Sequence, residues 1–179
     1  AGHRYLAAEG AMVTITILSD AAYLAPQGYY QGQLSTWETL PFLDIQSTDW
    51  YYEYVHYVCS AGLFLGTEAD RFSPNLSMTR GMLATVLYRL AGSPGLTGQG
   101  GEQFADVPAD AWYSEPVAWA SSTGVVKGLG DGNYGPNDLV TREQMALMLY
   151  RYASSYAGIS VELQGDIDGF SDGAATSSW

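Results

Sequence analysis

Residues 42–91, FLDIQSTDWYYEYVHYVCSAGLFLGTEADRFSPNLSMTRGMLATVLYRLA, return 62 positions later as FADVPADAWYSEPVAWASSTGVVKGLGDGNYGPNDLVTREQMALMLYRYA at 104–153. The two stretches align without a gap and are identical at 18 of 50 positions. Among the matched pairs are Phe42/Phe104, Asp44/Asp106, Trp50/Trp112, Gly62/Gly124, Gly66/Gly128, Thr79/Thr141, Arg80/Arg142 and Arg89/Arg151. A register held that long marks an internal duplication, the signature of a fold built by stacking one supersecondary unit on the next. A third copy opens at Phe170, where FSDGAATSSW (170–179) follows the pattern of FADVPADAW with one extra residue before Trp179.

Each unit reads as helix, turn, helix. A first helix begins near Trp50 or Trp112, carries Val55, Val58 and Cys59 on one face, and ends at Gly62 or Gly124, placed as left-handed caps. Pro116 fits the first turn of its helix, where a missing N–H removes no bond. Thr79 and Thr141 each precede an unbroken helical stretch. There Leu83, Val86, Leu87 and Leu90, and in the second copy Met145, Met148, Leu149 and Tyr152, recur at spacings of three and four that predict a core face. Thr141 to Gln144 also fits a capping box, which Gly81-Met82 in the first copy cannot complete.

Outside the repeats the chain divides into further segments. In residues 1–40, Val13, Ile15 and Ile17 alternate with Thr14 and Thr16, predicting one strand of a β remnant. Repeat one covers 41–92, a Gly-rich linker 93–103, repeat two 104–156, and a linker with the truncated third repeat 157–179. The expected fold class is therefore mainly α, tandem helix-turn-helix units behind a short β segment.

Composition narrows the partners. Seven Lys and Arg against nineteen Asp and Glu give a net charge of −12, which argues against sequence-independent binding to nucleic acid or to an anionic membrane face. An anionic ligand must then be held locally, and six of the seven cations are Arg, whose fork suits carboxylate or phosphate. The single Cys59, with only His3 and His56 beside it, excludes an internal disulfide and disfavours a structural zinc site. No apolar run approaches the ~20 residues of a membrane span. Tyr-rich, Lys-poor and acidic, the chain suits an extracellular protein that faces sugar or associates with itself.

Arg80 and Arg142 stand out because a cation in a first helical turn faces the positive end of the macrodipole, at about 0.3–1 kcal/mol. Such a terminus, with free N–H groups and a guanidinium, suits an anion; the competing reading is a structural salt bridge to Asp44 or Asp106.

The pattern Phe-x-Asp, Trp, Gly, Gly, Pro and Thr-Arg over 42–91 and 104–153 resembles the S-layer homology family of bacterial cell-surface proteins. That resemblance implies three interleaved motifs in a pseudo-threefold helical bundle, here incomplete, that anchors its protein non-covalently by binding an anionic secondary wall polysaccharide, often pyruvylated. Arg80 and Arg142 match the arginine of the family's Thr-Arg-Ala-Glu signature, which binds the anionic sugar. Here Thr79-Arg80-Gly81-Met82 lacks the Glu, and the second copy has Glu143-Gln144. By the same resemblance Trp50 and Trp112 stand beside the groove, where a sugar ring stacks, against a plain reading as buried helix anchors. Gly66 and Gly128 either admit a ligand close to the backbone or make a tight turn. Lys127, where repeat one has Leu65, either supplements the second groove or is a solvated loop charge.

Other chemistry finds less support. Asp166, Asp168 and Asp172 suggest a calcium loop, but no Glu follows at the spacing an EF-hand requires. His56 has Ala118 in its place in the second copy, and no nucleophile motif or carboxylate pair marks an active site. The expected protein is thus not an enzyme and needs no cofactor. It binds cell-wall polysaccharide outside the cell, at the wall or S-layer. The alternative is a subunit that packs on copies of itself into a layer or filament. Because the segment breaks off where a helix should begin, the native protein is expected to continue and complete the third repeat.

Overall fold

Residues 3–6, 12–15, 39–95, 103–160, 162 and 169–177 are described by a computed structural model. Ile17, most of the Gly-rich linker, Asp166, Asp168 and Trp179 lie outside the described residues. The chain divides into two units, 1–31 and 32–179. In the first, β1 (His3–Leu6) pairs antiparallel with β2 (Met12–Ile15), with His3 opposite Ile15 and Leu6 opposite Met12. The alternation at Val13 and Ile15 marks β2; β1, whose HRYL sequence has no such alternation, was not foreseen.

The second unit is helical: α1 (Tyr52–Ser60), α2 (Arg80–Leu90), α3 (Ser114–Ser122) and α4 (Arg142–Arg151). Local chemistry sets their ends. Thr79 Oγ1 accepts the Met82 N–H at 3.3 Å to start α2, and Thr141 with Gln144 closes the full capping box on α4. Gly62 and Gly124, at φ of 69° and 74°, turn the chain out of α1 and α3. Trp50 and Trp112 sit just before their helices rather than in them, leaving both indoles solvent-facing instead of anchored in the core. After Arg151, α4 widens into a π-helical turn, Tyr152–Tyr156, closed by Ala157 N–H donating to the Tyr152 carbonyl at 2.8 Å.

Packing does not follow the repeat boundaries. α2 of the first repeat lies against α3 of the second, and Leu83, Ala84, Leu87 and Tyr88 share one core with Val117, Trp119, Ala120, Val125, Tyr134 and Met148. Tyr88 meets Trp119 edge-on at 5.6 Å, and Trp119 meets Tyr156 the same way at 5.0 Å, so the widened end of α4 closes the core with aromatic edges. Burying Leu87 or Val117, each 1% exposed, contributes about 1.5–3 kcal/mol. A smaller cluster gathers Phe42, Ile45, Val55 and Cys59 with Phe64 and Phe72 around α1. Burial pushes the Cys59 thiol up to about 11, so it is a neutral filler there. One expected core residue fails: Leu149 is 45% exposed, because α4 turns inward through Met148 and Tyr152.

Candidate functional site

The Phe-x-Asp signature builds the loops that shape the site. Asp44 accepts the backbone N–H groups of Phe72 and Ser73 at 2.9 and 2.8 Å; Asp106 accepts those of Tyr134 and Gly135 at 2.8 and 2.7 Å. Ser73 and Gly135, matched positions, both take positive φ, 60° and 70°, which turns two successive N–H groups toward one carboxylate. The Phe72 N–H leads in holding the Asp44 carboxyl below its usual range, with Ser73 adding to it against the opposing effect of burial. The salt bridge considered between these carboxylates and Arg80 or Arg142 is replaced by these backbone bonds. The aspartates are spent on fixing their own loops.

The two loop glycines are required by the protein's own packing. A Cβ at Gly66, which has φ of 80°, would stand 2.6 Å from both the Arg71 carbonyl and the Phe42 ring. At Gly128 it would meet the Phe104 ring at 2.5 Å and the Asn133 carbonyl at 2.8 Å. Each repeat thus lays the Phe of its signature beneath its own glycine.

Arg80 enters the protein rather than facing solvent. It is 6% exposed; its Nε donates to the Tyr134 carbonyl at 2.9 Å and an Nη to the Lys127 carbonyl at 3.2 Å. The guanidinium carbon lies 4.6 Å from the centre of the Tyr134 ring, whose hydroxyl donates back to the Arg80 carbonyl at 3.0 Å. The Arg80 and Gly81 N–H groups, orphans of a first helical turn, are taken by the carbonyls of Asp138 and Pro136 at 2.9 Å each. No free N–H pair is left there to hold an anion.

Two adjoining cavities open beside α2. The first, about 590 Å³, runs between the first-repeat loop (Leu63 to Pro74), the α2 stripe Met82, Thr85, Val86 and Arg89, and the indole of Trp112 from the second repeat. The second, about 520 Å³, is lined by Tyr88, Ser114 and Glu115 among others. Thr85, Arg89 and Trp112 belong to both. Arg89 is half-buried, one Nη donates to the Leu63 carbonyl at 3.1 Å, and desolvation lowers its proton affinity. Both volumes fall in the range of about 300–1,000 Å³ usual for small-ligand sites.

Residues 41–81 and 103–146 match the S-layer homology domain. The chain carries two S-layer homology segments. It is 31% identical over 111 residues to an endoglucanase of Bacillus sp. (strain KSM-635), covering 62% of this chain and 11% of that protein. It is 28% identical over 127 residues to the surface-layer 125 kDa protein of Lysinibacillus sphaericus, covering 71% and 10% respectively. Over 54 residues it is 43% identical to the outer membrane protein SlpA of Thermus thermophilus, covering 30% and 6%. The chain thus spans about a tenth of the length of the first two relatives. The S-layer homology repeats make it a surface-anchoring segment, located outside the cell at the wall or S-layer.

Within these S-layer homology repeats the expected site residues part company. Gly66 and Trp112, from different repeats, meet at the first cavity. Trp50, 84% exposed, lines neither cavity. Arg142 and Lys127 face solvent, with Gly128 half-buried beside Lys127. Arg80 is closed into the repeat junction. Arg89, which lines both cavities, is not among the residues singled out from sequence. Its signal was present: Met82, Thr85, Val86 and Arg89 fall at i, i+3, i+4 and i+7, one face of α2 that ends in a cation repeated at Arg151.

Proposed function

We propose that these repeats hold their protein to the cell envelope by binding an anionic wall polysaccharide, of the pyruvylated kind, in the groove between the first-repeat loop and Trp112. The observation that carries this reading is the cavity itself: an indole face and an apolar stripe, which suit the C–H faces of a sugar ring, beside a half-buried guanidinium, which suits its acid. In the second repeat, the solvent-facing Arg142 and Lys127, with Gly128, are assigned to a further contact with the same polymer. Relatives named as an endoglucanase and as a surface-layer protein share this segment over a tenth of their lengths, which supports a binding role rather than catalysis.

The test is co-sedimentation of the chain with purified wall sacculi before and after mild acid removes ketal-linked pyruvate. Retention on intact sacculi and release from treated ones is the expected outcome. Equal retention on both would reject the anionic glycan, and no retention on either would reject wall binding.

A further inference from the structure

We propose that this chain associates head to tail with a second copy of itself, the face of α4 that bears Leu149 and Tyr150 packing on the face of α1 that bears Tyr57. The proposal stands apart from the wall-binding reading and rests on the contact that the two repeats already make within one chain.

That contact supplies the pattern. Where α2 lies against α3, Ala84, Leu87 and Tyr88 share a core with Val117, Trp119 and Ala120, and Tyr88 meets Trp119 edge-on at 5.6 Å. The Tyr88 hydroxyl donates to the Glu115 carboxylate, and Arg89 lines the same cavity as Glu115. An apolar strip flanked by a phenol, a cation and an anion thus joins the second helix of one repeat to the first helix of the next.

One half of that strip recurs on α4. Ala146, Leu149, Tyr150 and Arg151 stand 62 positions after Ala84, Leu87, Tyr88 and Arg89 and reproduce them without a change. Yet Ala84, Leu87 and Tyr88 are 0, 1 and 8% exposed, whereas Leu149 is 45% and Tyr150 51% exposed and Ala146 faces solvent. The core is entered from α4 by Met148 and Tyr152, so these side chains form an apolar patch on the surface, the mark of a contact site. The segment after α4 returns to the first turn of that helix, where the Ser177 N–H and hydroxyl donate to the Glu143 carboxylate at 3.1 and 3.0 Å. It leaves Leu149 and Tyr150 open.

The other half is on α1. Glu53, Tyr57 and Val58 stand where α3 has Glu115, Trp119 and Ala120: the same carboxylate, an aromatic for an aromatic, an aliphatic for an aliphatic. Within one chain the two faces do not close on each other, since Tyr57 and Tyr150 are each 51% exposed. A second copy brings what each face lacks. Because the matching faces lie on different helices, the contact joins unlike surfaces and runs head to tail rather than about a twofold axis.

Charge favours the same occupant. Copies of a chain with net charge −12 repel one another unless opposite charges meet where they touch. Glu53 of one copy against Arg151 of the next repeats the pairing of Glu115 with Arg89, and fixes the register of the helices.

The test is sedimentation velocity of the chain from about 1 μM to 1 mM, the range in which contacts of this kind form. Leu149→Asp, Glu53→Arg and Arg151→Glu are compared with wild type, with near-ultraviolet circular dichroism as the check on folding. Wild type is expected to pass from monomer to dimer and longer species as concentration rises. Leu149→Asp, at an exposed position, should weaken association about tenfold or more. Each charge reversal alone sets like charges across the contact and should do the same. An equimolar mixture of the Glu53→Arg and Arg151→Glu chains restores opposite charges at every junction and should associate as wild type does. A wild type that stays monomeric overturns the proposal and leaves the two faces to another occupant, such as a further repeat of a longer chain. Association that survives Leu149→Asp, or charge reversals that do not weaken it or are not rescued by mixing, places the contact elsewhere and overturns it as well. If Leu149→Asp does not fold, the two charge reversals and their mixture decide alone.

Discussion

Arg80 and Tyr134 hold each other in both directions across 54 residues of chain: the Arg80 Nε donates to the Tyr134 carbonyl at 2.9 Å, and the Tyr134 hydroxyl donates to the Arg80 carbonyl at 3.0 Å. Tyr134 is among the largest fully buried side chains, and burial pushes its hydroxyl up to about 12, so the group stays a neutral donor at neutral pH. This pair joins the start of α2 in one repeat to the loop of the next.

Removing either half should therefore uncouple the repeats. Arg80→Ala leaves two carbonyls unsatisfied and a void over the Tyr134 ring, and should destabilise by about 3 kcal/mol. Tyr134→Phe keeps the ring and strips one bond, at about 1–2 kcal/mol. Urea unfolding of both single variants and the double should give a coupling of about 1 kcal/mol. Additive losses would show that the two groups act independently.

The aspartate turns make stability depend on acid. Asp44 has its folded-state pKa depressed, chiefly by the Phe72 N–H and then by Ser73. Such a group adds stability that is present above its unfolded pKa, ~3.9, and is lost as pH falls through the lower folded value. Melting temperature should drop over that window. Asp44→Asn, which accepts through one oxygen and carries no charge, should melt lower at pH 6 and show a shallower acid decline. A variant with the same acid slope as wild type would assign the decline to other carboxylates.

What the sequence discloses divides along the range of the interaction. The helix pairs, the Thr141 box and the Gly62 and Gly124 ends were legible because each is decided within a few residues. The fate of Arg80 was not. Its neighbours in sequence mark a first helical turn, and only the loop at Lys127 and Tyr134 turns that turn into an interior. Periodicity likewise identifies a face of α2 but not its cover: Leu83 and Leu87 meet α3, while Met82 and Val86 line a cavity. For Asp44 and Asp106, residue type suggested an ion pair, but the positive φ at Ser73 and Gly135 presents N–H groups instead.

Gly66 and Gly124 separate backbone strain from crowding. Both have positive φ, 80° and 74°, but a Cβ at Gly124 meets nothing within 4 Å, whereas at Gly66 it meets a carbonyl and a ring at 2.6 Å. Gly124→Ala should cost about 1 kcal/mol from conformation alone. Gly66→Ala adds overpacking against Phe42 and should cost about 3 kcal/mol. Equal losses in chemical unfolding would mean that the Phe42 ring moves aside freely.

Trp50 and Trp112 are matched in sequence and differ in surroundings. Each stacks edge-on against the tyrosine that follows it, at 5.4 and 5.0 Å, and each is largely exposed, so neither anchors the core. Only Trp112 forms a wall of the cavities beside α2. Trp112→Ala should therefore change stability by less than about 1 kcal/mol. Yet it should weaken binding of wall polysaccharide about tenfold or more, since it removes the one indole a sugar ring can lie on in that groove. Trp50→Ala should leave affinity within about twofold of wild type, the span of an ordinary surface change. Polymer titrated into a Trp50→Phe background should still shift tryptophan emission, and into a Trp112→Phe background should shift it little. Equal losses of affinity from Trp50→Ala and Trp112→Ala would show that the ligand reaches the head of α1, and the groove would have to be redrawn to include it.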